Sequence, residues 1–477
     1  MFAMRRATPT DADLTYANLR GSGNNRTLTF DGWGGGEVNS IDGFDTIVFK
    51  NITLDSYALD SSADVKDEKA YLTINNAVEK GQVVYNGTID MRGVTIKLSN
   101  TLYLNDVDKP LEDEVETTLI AKGDNVDHMY FDANKVDSKD AEVRYQINTA
   151  WEGVAFAKPG DTTDRLTLVI SSSKLAEQTT MVSESRAAAT AFVNQGAELA
   201  AQQADALANS GEFGYQTFAG MYGNHGRIAT GSHVEIDGNS FMVGVGNTNA
   251  DGTSWGVFYE GGRGNYTTYN AHTDLGTLRG DGNTNYNGGG VLLRKDKENG
   301  WYAEGSLRMG RLKNSITNLL SDRGTPVGYD TESTYYGGHV GIGKVSKLHG
   351  EGQTIDTYAK FFYTHHDSDT YHFRRDDYRM DATESETLRL GFRVNQENSD
   401  KLNVYYGLAW EYEFGGDVRG QIMSEALAAP SLGGSTILGE LGISYKASSK
   451  WNVDARVQGY GGQRDGISGS VNVNYLF

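Results

Sequence analysis

Five potential metal-ligating side chains fall within eight positions of this sequence: His365, His366, Asp367, Asp369 and His372. Imidazole and carboxylate groups bind divalent metals when a fold brings them together. Here they have no regular spacing, and the flanking residues indicate a connecting loop on the outside of the protein. The sequence therefore favours a solvated loop over a metal site, and no metal or other cofactor is predicted.

Other short patterns are weaker still. Arg279, Gly280 and Asp281 form the tripeptide that integrin ligands use, in a segment predicted to be a loop, but three residues arise easily by chance in a chain rich in Gly and Asp. The Gly-x-Ser-x-Gly elbow of serine hydrolases and the P-loop are absent, and GVGNTN at 244–249 lacks the third glycine of a dinucleotide fingerprint. The chain is therefore predicted not to be an enzyme.

Composition limits the class of protein further. The 477 residues include 59 Gly, 27 Tyr, 5 Pro and no Cys. The absence of Cys excludes disulfides and thiolate metal sites, and the net charge of -20 argues against nucleic-acid binding. Abundant Gly and Tyr with little Pro is typical of long strands with aromatic girdles.

Apolar and polar residues alternate with a period of two at the C-terminal end. The apolar positions are Val471, Val473, Tyr475 and Phe477, and the polar residues Asn472 and Asn474 lie between the first three of them. The segments 402–414 and 451–459 alternate in the same way. Such strands are long enough to cross a bilayer when tilted. In an outer-membrane barrel the apolar side faces lipid and the polar side faces the lumen.

The pattern predicts an all-β, 12-stranded antiparallel transmembrane barrel over 213–477. The predicted strands are 216–227, 239–247, 253–269, 283–294, 301–312, 334–344, 355–365, 387–395, 402–414, 436–445, 451–460 and 467–477. Connections after even-numbered strands are mostly short. Several after odd-numbered strands are long, at 314–330, 367–382 and 415–435. Short turns on one rim and long loops on the other are the arrangement of outer-membrane barrels.

Because side chains alternate between the two faces of a strand, their positions also predict which charged residues face the lumen. These are Glu260, Arg294, Glu304, Arg308, Lys360, Arg389, Arg393, Glu411, Glu413, Glu440, Asp454 and Arg456. Both signs occur, so ion pairs can form across the wall and to a segment inside it. Glu411 and Glu413 could also assist a cleavage reaction, but structural ion pairing is the favoured role.

The segment 172–212 changes in character. Ten alanines between 187 and 208, with no proline, make 172–209 a predicted helix with unusually small side chains, and Asn209 begins its stop signal. Such a helix is narrow enough to thread a barrel lumen; the alternative is an ordinary surface helix or linker. Its candidate lumen-contact residues are Arg186, Asn194, Gly196 and Glu198.

Residues 1–171 contain short β-like runs separated by Gly, Asn and Asp turns, without a strict repeat. A parallel β-helix end is the first interpretation, and an independent sandwich is the alternative. Residues 1–20 lack the apolar stretch of a secretory signal, so the chain is expected either to be a fragment or to have a wrongly placed start, with part of an N-terminal region missing.

Several stretches resemble the autotransporter β-domain, the translocator of type V secretion. They are TGSHVEIDG at 230–238, GWYAEGSLRMGRLKN at 300–314, GLAWEYEF at 407–414, APSLGGSTILGELGIS at 429–444 and VQGYGGQRDGISGSVNVNYLF at 457–477; FVNQGAELA at 192–200 resembles the linker helix. The resemblance implies insertion by the barrel-assembly machinery with periplasmic chaperones, for which the C-terminal aromatic strand is the signal. It also implies that the barrel exports its own N-terminal passenger and that the helix stays in the lumen.

Some members of the family cleave themselves at an Asn-Asn pair in this helix. Here Asn194 is followed by Gln195, which puts that route of passenger release in doubt.

The leading hypothesis is therefore an outer-membrane translocator that displays or releases its passenger at the cell surface. One alternative is a surface adhesin whose passenger binds host or neighbouring cells, with the host-cell surface as its partner. Another is an open pore or an enzyme built into the barrel. The expected partner of the barrel is outer-membrane lipid, and the barrel is expected to be monomeric.

Overall fold

The computed structural model of the protein describes residues 2–5, 14–55, 70–105, 107, 109–136, 142–159, 164–209, 213–272, 276–322 and 324–477. The chain forms two units. The first comprises Met1–Ala176 with Ser321–Thr325, and the second comprises Glu177–Leu320 with Pro326–Phe477. The boundary near 176 lies five residues after the predicted domain boundary at 171.

Short strands build the first unit. They are β1 (Phe2–Arg5), β2 (Asn18–Arg20), β3 (Thr27–Asp31), β4 (Gly36–Val38), β5 (Ser40–Asp42), β6 (Thr46–Lys50), β7 (Thr53–Asp55), β8 (Leu72–Ile74), β9 (Ala77–Glu79), β10 (Gln82–Val84), β11 (Gly87–Asp90), β12 (Thr95–Ser99), β13 (Leu102–Asn105), β14 (Val115–Lys122), β15 (Val126–Tyr130), β16 (Val143–Ile147), β17 (Trp151–Pro159), β18 (Arg165–Ile170) and β19 (Lys174–Leu175). A 3-10 helix at Ala133–Lys135 lies between β15 and β16.

Parallel pairing dominates the earlier part of this unit. Strands β1, β3, β6 and β12 form one parallel sheet, in which like residues stack in register, as in the pairs Leu28–Ile47 and Phe30–Phe49. The Phe30 and Phe49 rings stack with centroids 5.3 Å apart. Strands β14, β16, β17 and β18 pair in antiparallel fashion instead. Assignment of this unit as the end of a β-helical passenger stays a prediction.

A single long helix, α1 (Thr180–Ala208), opens the second unit after a 3-10 turn at Glu177–Thr179. Of its 29 residues, 25 are buried. The helix begins eight residues later than predicted because Lys174–Leu175 forms β19, which pairs with β17. No helix in the described ranges is both long and apolar enough to cross a membrane.

Twelve antiparallel strands then close into a barrel. They are β20 (Gly214–Ala229), β21 (His233–Thr248), β22 (Thr253–His272), β23 (Gly276–Asp296), β24 (Trp301–Asp322), β25 (Thr325–Lys347), β26 (Gln353–His366), β29 (Thr383–Ser399), β30 (Leu402–Glu413), β33 (Gly434–Lys446), β34 (Trp451–Gly462) and β35 (Arg464–Leu476). All twelve predicted strands are present, so the predicted fold class is confirmed for the barrel and its preceding helix.

The alternation seen in the sequence sorts side chains between the two faces of the wall. Leu307 is 70% exposed on the outside, whereas the next residue, Arg308, is 3% exposed on the inside. Leu441 is 59% exposed and its neighbour Glu440 is 7% exposed. Because successive side chains of a strand point to opposite faces, the wall places apolar residues towards lipid and charged residues towards the lumen.

The predicted long connections are partly wrong. Strands β24 and β25 continue as a hairpin to Asp322 and from Thr325, so 314–330 is mostly strand. The tripeptide at Arg279 also lies in a strand, β23, and not in a loop. Connections 367–382 and 414–433 contain β27 (Asp369–Phe373), β28 (Asp376–Met380), β31 (Gly420–Ile422) and β32 (Glu425–Ala426), which form a four-stranded sheet.

The other rim carries only turns of two to five residues, at 249–252, 297–300, 348–352, 400–401 and 447–450. Short turns mark the periplasmic rim of an outer-membrane barrel. The sheet formed by β27, β28, β31 and β32 therefore lies on the extracellular side.

Candidate functional site

The helix α1 packs on one side of the lumen through apolar contacts. Leu199, Ala200, Ala204 and Leu207 form a buried cluster with residues of four neighbouring strands: Phe218, Tyr222, Met242, Phe258 and Leu292. The alanines keep the helix narrow, and the aromatic residues of the wall fill the space between helix and strands. This cluster supplies the hydrophobic part of helix docking.

Phe192 is the large apolar residue in the outer half of the helix. Its ring lies against Gly238 and Gly264, where a Cβ atom would meet the ring at less than ordinary contact distance. It also meets the edge of the Tyr286 ring, with centroids 5.6 Å apart. Two glycines on adjacent strands thus form the recess that receives this side chain.

Gly196 marks the closest approach of the helix to a charged pair of the wall. A Cβ atom at this position would overlap the Arg308 guanidinium and the Glu260 carboxylate. Arg308 Nε donates to Glu260 Oε1 at 2.8 Å, and the Tyr335 hydroxyl donates to the same oxygen at 2.8 Å. The pair is fully buried beneath the glycine.

Glu198 joins the helix to the opposite side of the wall. Its Oε1 atom lies 3.2 Å from Arg389 Nη2 and 2.8 Å from Arg464 Nη1. Glu411 pairs with both of these arginines, at 3.3 Å from Arg464 Nη2 and in a close hydrogen bond with Arg389 Nε. Tyr222 donates to Glu198 Oε2 at 3.3 Å.

Asp205 makes a second link two helical turns further on. Its carboxylate lies 2.6 Å from Arg294 Nη1, 3.4 Å from Lys360 Nζ and 3.6 Å from Arg393 Nη1. Glu304 neutralises part of this positive charge, because it pairs with Arg294 at 3.0 Å and with Lys360 at 2.5 Å.

The network continues around the wall beyond Asp205. Arg393 Nε donates to Glu440 Oε1 at 2.7 Å, and Arg456 Nη1 lies 3.6 Å from Glu440 Oε2. Arg456 also lies 3.9 Å from Asp454. Basic and acidic groups alternate in space, so each charge of this network has a partner of opposite sign.

Arg186 has a different environment. Its guanidinium is fully buried and donates to Thr383 Oγ1 at 3.1 Å, to the Tyr371 hydroxyl at 3.3 Å and to the His366 carbonyl at 3.1 Å. No ion pair in the described part of the chain includes this residue. Since Tyr371 belongs to β27, Arg186 connects the helix to the extracellular sheet.

The candidate metal-ligating side chains between residues 365 and 372 do not converge on one point in the structure. His366 faces inward and lies 2.8 Å from Thr190 Oγ1 through Nδ1, whereas His365 faces outward and lies 3.1 Å from Asp367 Oδ1. His372 pairs with Asp377. Across the described residues, no group of three or more His, Asp, Glu or Cys side chains is arranged to hold a metal ion.

Asn194 and Glu413 come together through a serine. Asn194 Nδ2 donates to Ser385 Oγ at 2.9 Å, and Ser385 Oγ donates to Glu413 Oε2 at 2.8 Å. Both residues line a cavity of about 110 Å³ between the helix and the wall. Glu413 also accepts a hydrogen bond from the Glu386 backbone N–H, so it acts as a hydrogen-bond acceptor and not as an ion-pair partner among the described residues.

The last strand has lipid-facing and lumen-facing contacts of its own. Val471 and Phe477 are 46% and 68% exposed on the outer face, which they share with Val473 and Tyr475. On the inner face, Asn472 Oδ1 accepts from Gln203 Nε2 at 2.6 Å, and Asn474 Nδ2 donates to the Ala206 carbonyl at 2.8 Å. The strand pairs with β20 and β34, and so closes the barrel.

Sequence reasoning missed three contributors to the helix site: Asp205, Arg464 and Phe192. Asp205 carried a signal, because it lies seven residues after Glu198 and therefore on the same helix face. Arg464 falls at the start of the last strand, outside the predicted bounds. Phe192 gave no signal, since its partner glycines are known only once strand register is known.

The arrangement is a narrow helix fixed inside a charged barrel, and this agrees with the comparison with known families. The sequence model described as "Autotransporter beta-domain" matches residues 217–458. The chain belongs to this family. The matched segment of the autotransporter β-domain covers the barrel from its first strand into its eleventh, and it places the protein in the bacterial outer membrane.

Solved autotransporter structures are similar to parts of the chain. The translocator domain of NalP from Neisseria meningitidis is 17% identical, with a TM-score of 0.44, and the match covers 61% of this chain and 99% of that one. The β-domain of Bordetella BrkA is 15% identical, with a TM-score of 0.43 and coverages of 55% and 100%. The transport unit of AIDA-I from Escherichia coli is 12% identical, with a TM-score of 0.42 and coverages of 59% and 98%. No curated protein matches the autotransporter chain in sequence.

Proposed function

We propose that this autotransporter barrel exports its own N-terminal segment and then holds it at the cell surface through α1. The observation that carries the proposal is the burial of 25 of the 29 helix residues within the barrel unit. A segment that leads out of the lumen must be continuous with the exported chain, and α1 directly follows the first unit in sequence.

The charged contacts support retention of the helix after export. Glu198 and Asp205 each pair with cations on the wall, and both are flanked by wall carboxylates. Removal of one partner of such a buried pair is costly, because the remaining charge is left without compensation. The helix therefore resists withdrawal, and it fills the space that an open pore would need.

A deletion tests this function. A chain without residues 180–208, with an epitope tag fused upstream of the first unit, should insert its barrel but leave the tag inaccessible to antibody on intact cells. Barrel insertion is checked by the heat-dependent gel mobility of folded barrels. Surface exposure equal to that of the undeleted chain, with the barrel inserted, would refute the export role of the helix.

We further propose that the last strand is the signal by which the barrel-assembly machinery recognises the chain, delivered by periplasmic chaperones. Support comes from its exposed apolar side chains, among them Val471 and Phe477, and from its position at the closing seam of the barrel. Phe477→Ala should slow assembly in cells while the purified variant still folds in detergent. Equal assembly rates would contradict the proposal.

A further inference from the structure

Two separate connections of the barrel build the extracellular sheet. Strands β27 and β28 lie between β26 and β29, whereas β31 and β32 lie between β30 and β33. The two halves of the sheet meet where β28 pairs with β31. The residue pairs of this ladder are Tyr378–Ile422, Arg379–Gln421 and Met380–Gly420. Because the sheet is separate from the closed barrel, its two halves can part while the ladders of the wall stay intact.

The buried face of this sheet rests on the outer end of the lumen helix. Tyr371 and Phe373 of β27 pack against Tyr329 of the wall strand β25, with ring centroids 4.8 Å and 4.4 Å apart. The Tyr329 hydroxyl lies 2.9 Å from Ser185 Oγ of α1. Arg186 of α1 donates to the Tyr371 hydroxyl at 3.3 Å. The sheet therefore lies over the extracellular mouth of the barrel.

The free space in the lumen lies below the same sheet. The apolar face of α1 packs against β20, β21, β22 and β23. Residues of β26, β29, β30 and β33 are among those that line the cavity of about 110 Å³ beside α1, and these are the four strands that the two connections join. Leu432, from the second connection, also lines this cavity and is 6% exposed. The sheet thus covers the part of the lumen that the helix leaves open.

This part of the lumen is the path available to an exported chain. Since α1 directly follows the first unit in sequence, the N-terminal segment passes through the barrel beside the residues that become α1. A cavity of about 110 Å³ has room for several water molecules, and it has no room for a polypeptide segment. Passage therefore requires that the sheet over the mouth is open.

We propose that the pairing of β28 with β31 is a clasp over the barrel mouth. The two connections stand apart while the N-terminal segment passes, and they pair over α1 once export is complete. This proposal rests on the export function proposed above. Burial of Tyr371 and Phe373 against Tyr329 favours closure. Arg186 supplies its hydrogen bond to Tyr371 only when α1 is in place, so docking of the helix favours the closed clasp.

A pair of cysteines reports directly on the clasp, because the chain has no Cys of its own. Arg379 and Gln421 are exposed and lie opposite each other in the ladder between β28 and β31. Opposite residues of antiparallel strands have Cα atoms about 4.5–5.5 Å apart, which is within the range that a disulfide spans. The variant Arg379→Cys, Gln421→Cys should therefore form a disulfide only when the two connections are paired.

The matched control joins β27 to β28 within one connection. Thr370 lies opposite Arg379 in that hairpin, so the variant Thr370→Cys, Arg379→Cys shares one substitution with the test variant. It should form its disulfide whether the clasp is open or closed.

Each variant is compared in a finished and an arrested form in cells. The finished form carries an epitope tag upstream of the first unit, and the arrested form carries a stably folded, cysteine-free domain there instead. Arrest is confirmed when the domain is inaccessible to antibody on intact cells and the barrel shows the heat-dependent gel mobility of an inserted barrel. After addition of an oxidant, the finished form should contain either disulfide. The arrested form should lose the disulfide between positions 379 and 421, down to the background of the Gln421→Cys single variant, and keep the one between positions 370 and 379.

Three results would overturn the proposal. An arrested chain that forms the disulfide between positions 379 and 421 as fully as the finished chain would show that the sheet is paired during export. Loss of both disulfides on arrest would show that the whole sheet folds after export, which replaces the clasp. A finished form whose barrel is inserted but whose tag stays inaccessible would refute the export function itself, and the clasp with it, whereas the first two results leave the export function standing.

Discussion

Arg464 Nη1 in the last barrel strand lies 2.8 Å from Glu198 Oε1 in the lumen helix. The same carboxylate oxygen lies 3.2 Å from Arg389 Nη2 in β29. Around the barrel, β29 and β35 are separated by β30, β33 and β34. One helix residue thus bridges strands that do not pair with each other, which couples helix docking to the stability of the wall.

Glu198→Gln should loosen the helix. The change leaves Arg389 and Arg464 with Glu411 as their remaining close carboxylate, and loss of one partner of a buried pair typically costs about 3–5 kcal/mol. We expect larger single-channel conductance in planar bilayers and a lower temperature for heat-dependent unfolding on gels. Adding Asp205→Asn should increase both effects.

The control for this experiment is an exposed ion pair of the wall. Glu332 lies 2.8 Å from Arg311 and 3.1 Å from Lys313, and all three side chains are substantially exposed. Since exposed pairs contribute little to stability, Glu332→Gln should leave conductance and unfolding temperature unchanged. A Glu198→Gln variant that behaved like this control would show that the helix is held by apolar contacts alone.

The barrel was predictable because one physical rule acts at every residue of its wall. Lipid accepts only apolar side chains, so alternation in the sequence directly gave the two faces, and Leu307 and Arg308 illustrate both. The rule does not apply to the parts of the strands that extend beyond the bilayer. Residues 314–330 alternate less clearly because both faces of the hairpin can be polar there, and only the backbone hydrogen-bond ladder reveals that strand structure continues.

The site was predictable only in part. The alternation of side chains along each strand identified the charged residues that face the lumen, and the alanine-rich segment identified the helix. Which charged residues form ion pairs depends on the register of strands that are distant in sequence. Glu198 and Arg464 are 266 residues apart. The Phe192 recess, built from glycines on two adjacent strands, likewise has no local signature.

Gly196→Leu should destabilise the docked helix, although leucine is a better helix former than glycine. Any side chain at this position overlaps the buried Arg308–Glu260 pair, and overpacking of this kind costs about 1–3 kcal/mol. Chemical unfolding in detergent, followed by gel mobility, measures the loss.

Ala191→Leu provides a matched control on the same helix. Ala191 lines the cavity of about 110 Å³ beside α1, so a larger side chain there has space to occupy. Its unfolding midpoint should equal or exceed that of the unchanged chain. If Gly196→Leu were equally tolerated, the close approach of helix and wall would not contribute to docking.

Arg186→Met should loosen the extracellular sheet and leave the barrel unaltered except at the ends of β26 and β29, where His366 and Thr383 accept from Arg186. Methionine is unbranched and uncharged but shorter than arginine, and the substitution removes the donors to Thr383 and Tyr371 and to the His366 carbonyl. Loss of a buried hydrogen-bond partner costs about 1–3 kcal/mol. Hydrogen exchange measured by mass spectrometry should accelerate in peptides covering 369–380, with barrel peptides that exclude His366 and Thr383 unchanged.

Arg379 lies exposed on β28 of the same sheet, so Arg379→Gln is the comparison for Arg186→Met. Its exchange should match that of the unchanged chain. Equal exchange in both variants would show that the sheet is held by its own aromatic core and not by the helix.

Leu307→Arg tests the assignment of faces on which the whole barrel depends. Leu307 is 70% exposed and lies six residues from Trp301, roughly 20 Å along the strand. With the tilt typical of barrel strands, this position is near the middle of the bilayer. An arginine there should make the barrel less stable in lipid vesicles by about 2–4 kcal/mol, as measured by urea titration.

Leu307→Phe, which keeps the side chain apolar, should fold as the unchanged chain does. Because Arg308 is tolerated at the adjacent inward position, equal folding of Leu307→Arg and Leu307→Phe would mean that the outer face of β24 does not meet lipid.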